Sequence, residues 1–131
     1  MKQSKGLNIA LWVAQGLLAA AFLMAGFMKI TTPIDELAAN GMSFVNVFSE
    51  GMVRFIGVSE VLGGIGLILP ALLRIKPVLT PIAAIGLAVV MVLAAIYHIS
   101  VGEPPVPNII LLALASFVGW GRIKKAPIQP K

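Results

Sequence analysis

The stretch FIGVSEVLGGIGLILP, residues 55–70, is apolar apart from Ser59 and Glu60, and it indicates the fold of the whole chain. Its apolar residues run continuously and do not alternate with polar ones, which favours a helix over a membrane strand. Extended to residues 52–73, the run reaches the length of about 20 residues that a helix needs to cross about 30 Å of hydrocarbon. We therefore expect a membrane-spanning helix that carries an acid.

The composition of the chain supports a membrane protein. Of its 131 residues, 59% are hydrophobic and only 11% are charged, whereas soluble domains contain about 45–50% apolar and about 25% charged residues. The net charge of +5 is spread over helix ends, where basic residues meet anionic lipid headgroups, so it does not indicate nucleic-acid binding. The absence of cysteine excludes disulfides, thiolate catalysis and Fe–S ligation by this chain.

Four apolar runs are long enough, or nearly so, to span a bilayer. Because the hydrocarbon interior tolerates only helices or closed barrels, these runs predict an all-α integral membrane four-helix bundle forming one domain over residues 1–131. The first run has a longer apolar core than the roughly 7–15 residues of a signal peptide, and we interpret it as a retained helix. The predicted helices cover approximately residues 7–28, 52–73, 78–99 and 106–121.

The distribution of basic residues predicts the orientation. If both termini are cytoplasmic, eight of the ten basic residues lie on the inner side, and only Lys29 and Arg54 lie outside. Basic residues concentrate on the cytoplasmic side of membrane proteins. The eight predicted inner residues are Lys2, Lys5, Arg74, Lys76, Arg122, Lys124, Lys125 and Lys131.

The first outer loop contains the sequence TTPIDELAANG, residues 31–41. Thr32 is predicted to cap a short helix, with Pro33 in the first helical position and Asp35 three residues after the cap. Asn40 and Gly41 are typical of a helix end. We expect a short helix lying on the outer surface of the membrane.

Glu60 is predicted to face protein. It lies about 11 Å into its helix from the outer side, at a rise of 1.5 Å per residue, where a carboxylate is costly unless it is paired. On a helical wheel, Gly57 and Gly64 lie on one side of Glu60 and Gly63 on the other. Small residues allow another helix to approach closely, so these three glycines predict a tight helix contact around the acid.

Several polar residues are predicted to meet at the outer ends of the helices. The expected partners of Glu60 are Lys29 or Arg54 as the cation and His98 or Asn108 as a hydrogen-bond partner; Lys29 and His98 are favoured because Arg54 lies about 120° away on the wheel. The inner halves contain almost no polar side chain apart from Gln15. In the alternative interpretation, the basic residues are interfacial anchors and Glu60 only fixes the helix packing. No metal site or catalytic residue is indicated.

Four segments of the chain are similar to the DoxX-like family. The most specific is the spacing Arg54-x2-Gly57-x2-Glu60-x2-Gly63 preceded by Lys29; the resemblance covers nearly the whole chain and implies four membrane helices. The segments are WVAQGLLAAAFLMAGFMKI (12–30), RFIGVSEVLGGIGLILP (54–70), YHISVGE (97–103) and PNIILLAL (107–114).

Three classes of function are compatible with the resemblance and with the polar cluster. The family takes its name from a subunit associated with thiosulfate:quinone oxidoreduction, and its animal relatives include a chaperone for receptor assembly. We expect a membrane partner, an assembly factor or a lipophilic-ligand-binding protein that uses the cluster around Glu60. The alternatives are an accessory membrane subunit of a quinone-linked oxidoreductase and a proton-coupled carrier.

The remaining expectations concern activity, ligands and location. We do not expect an enzyme that acts alone. The chain itself suggests no resident cofactor, and a quinone or a lipid is the ligand compatible with its chemistry. The expected partners are the lipid bilayer and either another membrane protein or a second copy of the chain. We expect a multi-pass protein of the cell membrane, specifically a prokaryotic plasma membrane.

Overall fold

Helices form most of the computed structural model, which describes residues 4–131. Four helical segments are long and apolar enough to cross a membrane: Lys5–Thr31, Glu50–Leu73, Leu79–Ser100 and Val106–Lys125. The described residues contain no strand, and the predicted all-α architecture is confirmed. The α-helices are α1 (Lys5–Thr31), α2 (Ile34–Ala39), α3 (Glu50–Leu73), α4 (Leu79–Ser100) and α5 (Val106–Trp120), with a 3-10 turn at Ser43–Asn46 and a π-helical turn at Gly121–Lys125.

The first and third helices begin slightly earlier than predicted because serine side chains cap them. The Ser4 hydroxyl accepts a hydrogen bond from the backbone N–H of Leu7, and the Ser49 hydroxyl accepts one from that of Met52. These bonds satisfy amides that have no partner within the first turn of a helix. The predicted starts at residues 7 and 52 lie where the apolar runs begin, so the predicted helices lack the polar, capped residues of the first turn.

The short helix predicted in the loop after the first long helix is present as α2, but its predicted cap is wrong. Thr32 belongs to the preceding helix: its backbone N–H donates to the carbonyl of Met28 and ends α1. Pro33 therefore becomes the N-cap of α2, without a side-chain hydrogen bond. Gly41, which follows the end of α2, has a φ of +93° that favours glycine.

The four long helices form a closed ring. Helix α1 packs mainly against α3 and also against α5, while α4 packs against both α5 and α3. One end of the bundle, the loop end, carries residues 32–49 and 101–105. The opposite end, the tail end, carries residues 4–8, 74–78 and 121–131. Large buried residues of the central core include Leu18, Phe22, Leu67, Leu87, Met91 and Val118.

A proline inside α3 leaves a carbonyl group that the next helix satisfies. Pro70 has no N–H to donate to the carbonyl of Gly66, four residues earlier. The Thr80 hydroxyl, which is fully buried on α4, donates a 2.9 Å hydrogen bond to that oxygen instead. The proline and the threonine therefore act together to join α3 to α4.

Glycine allows α1 and α3 to approach closely. A Cβ atom at Gly26 would lie 2.6 Å from the carbonyl oxygen of Gly57, and one at Gly57 would lie 2.8 Å from the Gly26 oxygen. Gly64 of α3 also packs against α1, at Leu23, whereas Gly63 packs against Leu87 of α4. The three glycines predicted to surround Glu60 thus line contacts with two different helices.

Candidate functional site

An ion pair between Lys29 of α1 and Glu60 of α3 lies beneath the loop end. Lys29 Nζ donates a hydrogen bond to Glu60 Oε1 over 2.6 Å. The Glu60 side chain is 2% exposed and the Lys29 side chain 12%. A charge removed from water requires a partner of opposite charge, and Lys29, one of the two partners that the sequence favoured, provides it.

The direction of the two helices explains why these side chains meet. Each residue lies three positions after a glycine of the close contact, Lys29 after Gly26 and Glu60 after Gly57. Side chains on a helix tilt toward its N-terminus. Because α1 and α3 run in opposite directions, Lys29 slopes into the bundle and Glu60 slopes toward the loop end. A Cβ at Gly57 would lie 2.8 Å from the Lys29 Cβ, so glycine provides room for the lysine stem.

Arg54 binds the end of α1 instead of Glu60. Its Nη1 donates to the carbonyl of Lys29 over 2.8 Å and to that of Thr32 over 2.6 Å. Its Nη2 lies 3.1 Å from Glu50 Oε1, four residues earlier on the same helix. Carbonyl groups at a helix C-terminus carry partial negative charge, which a guanidinium group stabilises. Arg54 therefore fixes the end of α1 against the start of α3, and the prediction that it could pair with Glu60 is wrong.

The first loop covers the buried pair. The Phe44 ring, in the 3-10 turn, lies 5.7 Å from Lys29 Nζ, within the range of a cation–π contact. Beneath the loop, Leu37, Val45 and Val53 form a small apolar cluster separate from the main core. The loop is thus attached to the bundle by packing as well as by charge.

A second polar cluster, the loop latch, comprises Ser43, Tyr97, His98 and Glu103. The Ser43 hydroxyl lies 2.9 and 3.0 Å from the two Glu103 oxygens and 3.2 Å from the Tyr97 hydroxyl. Because Ser43 has one hydroxyl hydrogen, it donates to Glu103 and accepts from Tyr97. His98 Nδ1 lies 2.8 Å from Glu103 Oε1. The hydrogen bond from His98, followed by that from Ser43, lowers the pKa of the Glu103 carboxyl below its usual 4.5.

Two residues predicted beside Glu60 have other partners. His98 bonds to Glu103 across the turn between α4 and α5, so the expected contact between His98 and Glu60 is wrong. Asn108 Nδ2 lies 3.7 Å from the sulfur of Met91, a weak acceptor. The polar residues predicted to meet do lie at one end of the bundle. They form two separate groups there: the Lys29–Glu60 pair with nearby Arg54, and the loop latch.

Polar groups near the loop end are mostly bound to one another. Two clefts stand out on the described surface: one lies at the tail end, and an apolar one lies between α3 and α4. Neither is lined by Lys29, Arg54 or Glu60. Among residues 4–131, no three His, Cys, Asp or Glu side chains come together as metal ligands would. The arrangement is suited to holding the loop in one conformation.

The expectation that the inner halves contain almost no polar side chain apart from Gln15 is wrong, because Arg122 is buried there as well. Gln15 and Arg122 are both buried, and Arg122 Nε donates to Gln15 Oε1 over 2.7 Å. The Gln15 amide in turn donates to the carbonyl of Leu67. Arg122 Nη1 bonds to Asn8 Oδ1 and to the carbonyl of Ala126. In the sequence Arg122 resembles its basic neighbours, and the π-helical turn after α5 is the local feature associated with its burial.

Comparison with known proteins supports the family assignment. The model of the DoxX-like family matches residues 13–118, which include all four long helices at least in part. No protein with a curated description and no solved structure matches the chain. The match includes Lys29, Arg54, Glu60 and the loop latch, but it stops before Arg122.

Proposed function

This chain belongs to the DoxX-like family, and from that premise we propose that it binds another integral membrane protein at its loop end, without catalysing a reaction of its own. Its membrane character follows from the family and from four apolar helices. The partner, the orientation and the location are parts of the proposal.

The internal pairing of the loop-end charges is the main support for this proposal. Lys29 pairs with Glu60, and Arg54 donates hydrogen bonds to the carbonyl groups at the end of α1. A site built to bind a small polar ligand usually presents a few polar groups in a concave pocket. Here the charged groups hold one another, which favours a role in shaping a surface over a role in holding a small ligand.

The surface shaped in this way is apolar. Val47 and Phe48, which follow the 3-10 turn, are 66% and 40% exposed, and Met52 and Phe55 at the start of α3 are 46% and 66% exposed. Large apolar groups at one edge of a membrane bundle suit packing against a transmembrane segment of a partner. The loop that carries Val47 is held by Ser43 on the latch, so this edge is presented in a defined position.

The proposed orientation places the loop end outside the cell and both termini in the cytoplasm of a prokaryote. It rests on the basic residues, of which Lys5, Arg74 and Lys76 are examples at the tail end. In this orientation the partner is recognised at the outer leaflet of the plasma membrane.

A quinone-linked role remains the second candidate, and one observation favours it. His98 and Glu103 share a 2.8 Å hydrogen bond at the membrane surface, an arrangement that can exchange protons. However, a relay that uses Glu60 and His98 together requires a contact between them, and each has a different partner. Proton exchange at His98 would therefore act apart from the buried pair.

Purification in a mild detergent from the native membrane tests the proposal. We expect a second membrane protein in stoichiometric amount, whose retention falls when Val47 and Phe48 are both replaced by Ser. Replacement of the equally apolar Val89 and Leu93 on α4 by Ser is the matched control, since these residues are exposed away from the loop end. Recovery of a stoichiometric quinone without a protein partner would instead support the second candidate, and recovery of neither would overturn both.

A further inference from the structure

The two ends of the bundle differ in charge. All five acidic residues belong to α2, α3 or the turn after α4, within the loop-end half: Asp35, Glu36, Glu50, Glu60 and Glu103. The tail end carries only basic residues among its charged groups in the described chain, and none of the described ion pairs involves them. The tail end therefore presents a positively charged surface that an anion from outside the chain would complement.

A cleft at this end is positioned to receive that charge. It has a volume of about 340 Å³ and lies between the start of α1, the end of α3 and the C-terminal segment. Its lining combines an indole ring (Trp12), an amide (Asn8) and a guanidinium group (Arg74) with apolar Leu72. Leu72 is 62% exposed, so the cleft borders the surface that faces lipid.

Arg122 contacts two residues that line the cleft, although it does not line the cleft itself. Its Nη1 bonds to Asn8 Oδ1 over 2.7 Å, and its guanidinium carbon lies 5.3 Å from the Trp12 ring centre. The residue is only 3% exposed, and its Nη2 has no hydrogen-bond partner in the described chain. A buried guanidinium group with a free donor and no carboxylate partner is costly. An anion in the adjacent cleft would compensate its charge.

Arg74 supplies a second positive charge and connects the cleft to the C-terminal segment. Its backbone is in the left-handed conformation, with φ +57°, at the end of α3. Its Nε donates to the carbonyl of Gln129, and its own carbonyl accepts from the N–H of Lys131. These contacts hold the segment against the bundle and keep the guanidinium group at the cleft.

We propose that this cleft binds an anionic phosphate group, either the headgroup of an acidic phospholipid or free phosphate. Guanidinium groups donate several hydrogen bonds to phosphate oxygens in a geometry that lysine does not match. The position at a membrane edge, with an indole ring and an exposed leucine beside it, suits a lipid with its acyl chains along α3. The site is independent of the partner surface at the loop end.

Ligand-dependent thermal unfolding of the full chain in an uncharged detergent tests the proposal. The probes are short-chain phosphatidylglycerol, phosphatidylcholine of the same chain length, and inorganic phosphate. A ligand that binds only the folded protein raises its unfolding midpoint in a saturable way. We expect phosphatidylglycerol to bind at least about ten times more tightly than phosphatidylcholine, because the cationic choline group cancels the phosphate charge and would be repelled by the arginine side chains.

Three variants assign the binding to the cleft. Arg74→Gln should weaken phosphatidylglycerol binding about ten-fold, whereas Lys76→Gln, which removes the same charge from the same end but outside the cleft, should change it less than about two-fold. Asn8→Asp should abolish binding by placing a carboxylate in the lining. Because the introduced carboxylate would still accept from Arg122 and would neutralise its charge, this variant should unfold without ligand at no lower temperature than the wild type.

The pattern of stabilisation distinguishes the two ligands and can refute the proposal. Saturable stabilisation by inorganic phosphate that depends on Arg74 would identify free phosphate as the ligand, and stabilisation by phosphatidylglycerol alone would identify a lipid headgroup. Equal binding of the two phospholipids, equal losses in Arg74→Gln and Lys76→Gln, or wild-type binding by Asn8→Asp would each overturn it.

Discussion

Replacing Glu60 by Gln tests whether burial increases the contribution of its ion pair to the free energy of unfolding. Removing one member of a fully buried pair costs about 3–5 kcal/mol. The amide of Gln keeps an acceptor for Lys29, and the lysine is 12% exposed and can shift its charge toward the interface. We therefore expect Glu60→Gln to lower the free energy of unfolding by about 2 kcal/mol, below that range.

The matched control is Glu50→Gln. Glu50 also pairs with a basic residue, Arg54, at 3.1 Å, but its side chain is 67% exposed. An exposed pair of this kind contributes about 0–1 kcal/mol. Unfolding equilibria of both variants in the same detergent or bicelle provide the comparison, and Lys29→Met combined with Glu60→Leu should recover much of the loss by removing both charges. Equal effects at Glu60 and Glu50 would refute the argument that burial determines the contribution.

Three further predictions concern topology, packing and pH. In intact cells, a cysteine at Asn46 should react with a membrane-impermeant thiol reagent and one at Gln129 should not; the reverse pattern would invert the orientation. Gly57→Ala should destabilise the protein by about 1–3 kcal/mol through overpacking, whereas Gly86→Ala, where nothing lies within 4 Å, should not, and similar thermal midpoints would contradict the close contact. The pKa of Glu103 is lowered in the folded protein, so the ionised carboxylate stabilises the latch above pH 4.5, and this stabilisation is lost as the pH falls through the pKa of the folded state. Hydrogen exchange in residues 42–48 should therefore rise at low pH. Glu103→Gln should remove this pH dependence.

The sequence predicts the fold well because membrane helices can be recognised by the length of their apolar runs. Each apolar run corresponds to one long helix. Glu60 could be predicted to face protein because an unpaired acid is costly in lipid. The spacing from Gly57 to Glu60 also predicts a close helix contact, and Gly26 supplies the matching position on α1.

The pairing of the polar residues is harder to predict because it depends on tertiary positions. His98 meets Glu103 only because the chain turns back after α4, and Arg54 reaches the end of α1 only because that helix runs to Thr31. Arg122 gives no sign in the sequence that it differs from Lys124, since both follow α5 in a basic run. Only the folded chain shows that Arg122 points inward.

Site-specific photo-crosslinking tests the proposed partner surface most directly. With a benzophenone amino acid at Val47 in native membranes, we expect one discrete protein adduct, strongly reduced by Arg54→Gln, which releases the end of α1. The same probe at Val89, which is also exposed but lies on α4 away from the loop end, should not form that adduct. Equal protein adducts from both positions, or only lipid adducts from Val47, would contradict the proposal that the loop end binds a membrane-protein partner.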